Sequence, residues 1–316
     1  MKSKPIYKAI QTKSIKQLIL NLALYSLLYL VALQFISTSF PLFALAIVLL
    51  PFLMIRLFII QHDCTHYAFW TSSKANNLTG ILLGSLTHVP HQYWSKMHRQ
   101  HHGTSGNLDK REYGDIWTLT VSEYEQSSAL DKFKYRCYRS PLILLLLGGM
   151  YLFFIRLKNP LAPSGLEHKA YTSILITNAL IVIRMLILCY FFSWQSVLLI
   201  EILALYIGSI VGVALFYLQH NYADAYWQDN INWDYQTAAW QGSSFLDLGK
   251  IFHWLTGNIG YHHIHHFDPR VPNYLLAKAD REAFSNERVV TLKYKDIVPS
   301  FQLKLWDEKK QSLVKF

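Results

Sequence analysis

Fourteen histidines occur in this chain of 316 residues, and eight of them fall into three spaced groups. His62 and His66 form the first. His98, His101 and His102 form the second, and His262, His265 and His266 the third. Residues at i, i+3 and i+4 share one face of an α-helix, so each group presents its imidazoles in one direction. Three such faces brought together offer eight ring nitrogens, too many for one ion and enough for two. His220, within Leu218-Gln219-His220-Asn221, lies one turn beyond the last long apolar run and is a ninth candidate. Imidazole suits iron, zinc and copper alike. Neutral nitrogen donors leave the metal charge uncompensated, which favours bridging oxygen species and so points to a pair of irons that activates O₂. A di-zinc hydrolase would more often bring carboxylates. An unactivated C–H bond calls for such an oxidant, because side-chain acids and bases cannot abstract that hydrogen.

The remaining histidines fail the spacing test. His263 is one residue off the shared face and reads as supporting or spare. His88 and His91 flank Pro90 in an irregular stretch, and His168 and His253 stand alone; all four read as structural or exposed. Cys64 lies two positions after His62, about 200° around a helix, and points away from the metal. Metal-bound histidine usually donates its other nitrogen to a carboxylate or carbonyl. Asp63, Asp109, Asp115, Asp224 and Asp268 are candidates for that role, with Asp268 and Asp63 preferred because they adjoin the histidine groups.

The elements that position these groups are apolar. The chain is 52% hydrophobic and only 16% charged, against about 25% charged in ordinary soluble domains. That excludes disorder, collagen and coiled coil and argues against a soluble enzyme. The apolar residues gather in runs at 18–35, 41–60, 141–157, 171–192 and 195–218, and a bilayer crossing needs roughly 20 residues. Short uncharged links join the first two runs and the last two, so each pair predicts a transmembrane hairpin. The 17 residues of 141–157, with Arg139 before and Arg156 and Lys158 at the end, predict a helix lying in the interface. If that run crossed, the histidine groups would be split between two compartments. The expectation is an all-α integral membrane protein with four spanning helices and one interfacial helix. A cap made of 61–140 and 219–316 holds the metal site, and 1–316 form a single domain.

Lys2, Lys4, Lys8, Lys13 and Lys16 precede the first run, and no acidic residue occurs before Asp63. Lysine-rich flanks stay in the cytoplasm, which puts the cap and the active site on the cytoplasmic face. No cleavage site follows the first run, so a signal peptide is not expected. The formal net charge of +10 suits anionic lipid headgroups better than nucleic acid. Lys96, Arg99 and Lys110 could meet a lipid headgroup or an acidic electron donor, although a solvated face is the plainer reading. Cys64, Cys137 and Cys189 form neither a disulfide framework nor a CxxC pair. Arg184 and Glu201 fall inside the last two runs, where an ion pair tying two helices together is the plainer reading.

The three groups together resemble the histidine boxes of the integral-membrane fatty acid desaturases. The stretch from His98-Arg99-Gln100-His101-His102 to Asp109, Gly114-Asp115-Ile116-Trp117-Thr118, Leu218-Gln219-His220-Asn221, the stretch 257–274 and Leu305-Trp306-Asp307-Glu308 are most similar to the acyl-lipid Δ12 (ω-6) branch. The resemblance runs from about Gln61 onward. It implies a di-iron centre ligated by His62, His66, His98, His101, His102, His262, His265 and His266, with His220 as the extra ligand. It also implies consumption of O₂ and two electrons per cis double bond introduced into a fatty acyl chain. The first box departs from plant-type members, which carry Glu-Cys-Gly where this chain has Asp63-Cys64-Thr65, and His91 stands where an aromatic residue is expected. No His-Pro-Gly-Gly haem motif occurs, so electrons come from a separate donor of ferredoxin or cytochrome b5 type. Two alternatives stay open at this stage: an oxygenase of the same ligand class, hydroxylating or ketolating an alkyl, acyl or carotenoid substrate, and a membrane metal transporter or sensor.

Overall fold

The computed structural model describes residues 7–111, 115–160, 168–283 and 289–316; Lys2, Lys4 and Gly114 lie outside them. Helices α1 (Gln11–Phe35) and α2 (Phe40–Thr65) form the first long hairpin. Pro41 occupies the first turn of α2, where its missing N–H costs nothing. Two shorter helices follow, α3 (Ser73–Thr87) and α4 (His91–Thr104). The Ser72 hydroxyl caps α3, and His88 ends it in a left-handed conformation with φ 61°. Then come β1 (Leu119–Thr120), α5 (Val121–Gln126) and α6 (Ala129–Tyr138). The second long hairpin is α7 (His168–Phe191) and α8 (Trp194–His220).

The C-terminal part is built from short pieces: α9 (Tyr235–Gln241), β2 (Phe245–Leu246), α10 (Lys250–Leu255), α11 (His262–Phe267), α12 (Asn273–Ala283), β3 (Thr291–Leu292), α13 (Ile297–Gln302), β4 (Leu305–Asp307) and β5 (Ser312–Val314). Strand β1 pairs parallel with β4, β4 antiparallel with β5, and β2 parallel with β3. The protein is therefore an all-α membrane fold trimmed with two small sheets. Four helices among the described residues are long and apolar enough to span a bilayer, as the sequence predicts.

Each spanning helix overruns its apolar stretch. Helix α1 starts seven residues early, α2 runs five residues further and α8 two residues further. The added residues are polar and carry His62, which is buried, and His220, which is half-buried, into the cap. Helix α2 is the central element: 61% of its most apolar window is buried, against 11% in α7. Its inward side packs on α1, α3 and α8 around Leu50, Leu57 and Ile60.

The stretch 143–158 is not a regular α-helix. It is π-helical at Ile143–Gly148 and Tyr151–Ile155, closes as a 3₁₀ turn at Arg156–Lys158, and bends 73° from α6. It wedges against α8 at Gly149, where an added Cβ would sit 2.8 Å from the Ser209 hydroxyl oxygen. Its end is fastened by Lys158, whose ammonium donates to the His88 carbonyl at 2.6 Å. By length and composition α6 and this stretch together would make a fifth span, broken by that bend.

Arg139 locks the cap. Its side chain is fully buried and donates to Trp117 O, Thr118 Oγ1, Tyr217 OH, Asn221 Oδ1 and Leu303 O at 2.7–3.3 Å. One guanidinium thus joins the segment before β1, the end of α8 and the approach to β4.

Candidate metal centre

Helices α2, α4, α8 and α11 meet at the cap end of the stem, and they bring nine histidines together. The ring nitrogens fall into two groups, each with its members within 4.8 Å of one another. His62, His66, His98, His102 and His265 make the first, and His101, His220, His262 and His266 the second. The groups lie side by side, with the His102 and His266 rings stacked at 4.2 Å.

Helical geometry explains the division. At 100° per residue, positions i and i+4 of an HxxHH sequence diverge by only about 40°, whereas i+3 lies about 60° to the other side of i. His98 and His102 accordingly enter the first group and His101 the second. In α11 the same rule sends His262 and His266 to the second group and His265 to the first. The second and third boxes each serve both groups, whereas His62 and His66 both belong to the first.

The inward nitrogens crowd closely. His102 Nε2 is 3.0 Å from both His98 Nε2 and His265 Nε2. His262 Nε2 is 2.9 Å from His220 Nε2 and 3.1 Å from His266 Nε2. His101 Nε2 and His220 Nε2 are 3.2 Å apart. The protonation of that last pair is set from outside. His101 Nδ1 lies 2.6 Å from Asp115 Oδ1, and His220 Nδ1 lies 2.9 Å from the Gly242 carbonyl. Both partners accept, so both Nδ1 atoms carry the proton, and two bare Nε2 lone pairs are left facing each other. A cation between them resolves the repulsion. Two nitrogens each about 2.1 Å from one ion and at right angles to each other are about 3.0 Å apart, close to the spacing seen. His66 Nε2 is likewise buried without a partner. The residues present fit a metal centre built from imidazole alone.

Burial, reinforced by the neighbouring imidazoles, holds His98, His102, His262, His265 and His266 well below the ordinary histidine pKa. They are neutral at physiological pH, which is the ligating form. Trp94, one turn before His98, stacks on it at 4.3 Å and fixes the ring plane.

The supporting carboxylates differ in part from expectation. Asp268 does not reach a histidine: its Oδ1 accepts from Arg270 Nε at 2.8 Å. Asp63 Oδ2 accepts from both the backbone and side-chain nitrogens of Asn273 at 2.7 Å, tying α2 to α12, while its Oδ1 is 3.5 Å from His62 Nδ1. Asp109 Oδ2 accepts from Asn230 N. Asp115 is the carboxylate that holds a histidine of the two groups by a short hydrogen bond. The Asp115→Asn change keeps the shape but replaces the acceptor. A ten- to hundredfold fall in metal affinity or turnover is expected, to be measured by metal retained against a chelator.

The other histidines have separate duties. His263 Nε2 pairs with Asp280 at 3.1 Å, and His253 packs beside the stacked rings of Phe245 and Tyr261 while meeting Asp247 at 3.3 Å. His91 is buried against Gly80, and His168 is exposed. Arg99 is engaged by Ser95 of its own helix. His88 is structural and not exposed: it is buried and bonds Glu201 at 2.5 Å.

Nine clustered histidines at one end of four helices long and apolar enough to span a bilayer fit a class, the membrane oxidoreductases. The particular family follows from comparison with known proteins. A family model described as fatty acid desaturase matches residues 38–294. A fatty acid desaturase of Bacillus subtilis is 43% identical over 273 residues, covering 86% of this chain and 77% of the relative. An sn-1 acyl-lipid omega-3 desaturase (ferredoxin) of Nostoc is 30% identical, covering 85% and 74%. An acyl-lipid omega-3 desaturase (cytochrome b5) of Arabidopsis thaliana is 26% identical, covering 72% and 60%. The chain belongs to the fatty acid desaturase family and is an oxidoreductase.

Proposed function

We propose that the nine histidines hold two irons and that the protein uses O₂ and two electrons to place a cis double bond in a lipid-linked acyl chain. The observation that carries this reading is the pair of adjacent histidine groups, buried and free of carboxylate, at one end of the stem. When bound, the irons would supply the O₂-derived oxidant that an unactivated methylene requires. The chain's own residues hold the nine imidazoles in place and oriented. Asp115 and the Gly242 carbonyl fix two tautomers, Trp94 fixes a ring plane, and the close-packed walls keep water out. Per double bond, one methylene–methylene pair loses two hydrogens, and O₂ with two electrons and two protons leaves as two waters.

The motifs favour Δ12 (ω-6) as the carbon attacked, whereas two of the relatives are named for ω-3. The electron donor is a separate protein of ferredoxin or cytochrome b5 type, the two kinds that relatives are named for. Lysine at 8, 13 and 16, ahead of the apolar part of α1, supports a cytoplasmic face for the centre. The residues 1–316 act as one desaturase unit.

The test is expression in a host without polyunsaturated lipids, beside a His98→Ala control. A new double bond, located by mass spectrometry and absent in the control, is the expected result. A hydroxylated chain with no new double bond would overturn the desaturase reading in favour of the hydroxylase.

A further inference from the structure

Away from the histidines, α1, α2, α10 and α12 enclose a cavity of about 570 Å³. Its charged lining is basic: Lys16, Arg56, Lys250 and Arg281, with no carboxylate among the lining residues. None of the four forms an ion pair among the described residues.

Arg56 is the informative member. It sits six residues before His62 in the apolar helix α2, roughly 9 Å below it, and is only 6% exposed. A guanidinium within a spanning helix is costly and usually has a partner. Here only Nε is engaged, donating to Asn21 Oδ1 at 2.5 Å. The guanidinium carbon lies 4.2 Å over the Trp254 ring. These two contacts fix the plane and leave both terminal nitrogens without a hydrogen-bond partner, turned toward the cavity. A fixed guanidinium fork with free donors matches a phosphate in the two-bond manner. Lys16, Lys250 and Arg281 add positive charge on three other elements. Lys16 and Leu20 are exposed on spanning helix α1, so the cavity meets the bilayer where headgroups lie.

We infer that this cavity binds the phosphodiester headgroup of a membrane phospholipid, with Arg56 as its central ligand. The inference concerns binding and stands whether or not the bound lipid is the one oxidised.

The test uses the full chain, purified in neutral detergent and stripped of lipid. Dihexanoyl phosphatidylglycerol, a short-chain digalactosyl lipid and inorganic phosphate are titrated in parallel. Phosphatidylglycerol is expected to bind at least tenfold more tightly than the galactolipid. The Lys250→Gln/Arg281→Gln protein, altered at exposed positions that do not threaten folding, is expected to lose about tenfold, and Arg56→Gln more, as charged hydrogen bonds require. Equal binding of the galactolipid, or unchanged affinity in the exposed double variant, would overturn the site. Displacement of the lipid by inorganic phosphate at comparable concentration would overturn the lipid source and make the ligand a free anion.

Discussion

The His102→Ala protein is expected to insert and fold while losing desaturation to below about 1% of wild type. Loss of a partner that merely orients a metal-bound histidine already costs ten- to hundredfold, so loss of a donor costs more. His102 is the most exacting single choice because of where its ring lies. Its Nε2 is 3.0 Å from a nitrogen of its own box, His98, and from one of the third box, His265 on α11. Its face also stacks on His266 of the neighbouring group. Removing it opens the first group and unseats the wall between the two. Iron per chain, measured after purification, is expected to fall from two to one or fewer. His168→Ala, at an exposed position, is the control that should keep both metal and activity. Full iron and full activity in His102→Ala would mean that the nine nitrogens are not a ligand set.

Why the centre was readable from sequence while its supports were not comes down to range. The histidine groups obey a helical period, and a period is a local property of the chain. The division into two groups departs from the expectation that each box faces one way, because about 60° separates i from i+3 on one side and about 40° separates i from i+4 on the other, and the structure uses that divergence. The spanning helices were readable because apolar runs of that length have few alternatives. Asp115 was not singled out, because it is held at His101 by α6, Arg139 and the approach to β4, contacts up to 164 residues apart. Asp268 looked better placed, directly after the third box. Its backbone leaves the helix in an extended conformation, and the carboxylate turns to Arg270 two residues on. The strands of two or three residues carry too little pattern to be seen. The stretch 141–157 has the composition of a regular helix. Its close approach to Ser209 at Gly149 and its anchorage through Lys158 are tertiary facts.

The Glu201→Ala change should be the most damaging single substitution for stability, at about 3–5 kcal/mol, the usual cost of breaking one side of a buried ion pair. Glu201 lies nineteen residues before His220 on α8, roughly 28 Å along the helix, and is 7% exposed. Its oxygens accept from both Arg184 terminal nitrogens on α7, from Tyr29 on α1 at 3.1 Å, and meet His88 at 2.5 Å. His88 is the turn between α3 and α4, and Lys158 grips its carbonyl. One carboxylate therefore fastens both long hairpins and the turn that sets the height of α4, the helix that carries His98, His101 and His102. Alanine there leaves a buried guanidinium, an imidazole and a phenol without their acceptor. The expected outcome is a large fall in folded yield and thermal midpoint, with desaturation per folded molecule falling as well, because α4 loses its footing. Arg184→Met should cost a similar amount, and the double variant Arg184→Met/Glu201→Ala should cost clearly less than the two single changes added together, since it leaves no uncompensated charge. Additive costs in that cycle would show the pair to be independent and the anchoring of α4 to lie elsewhere.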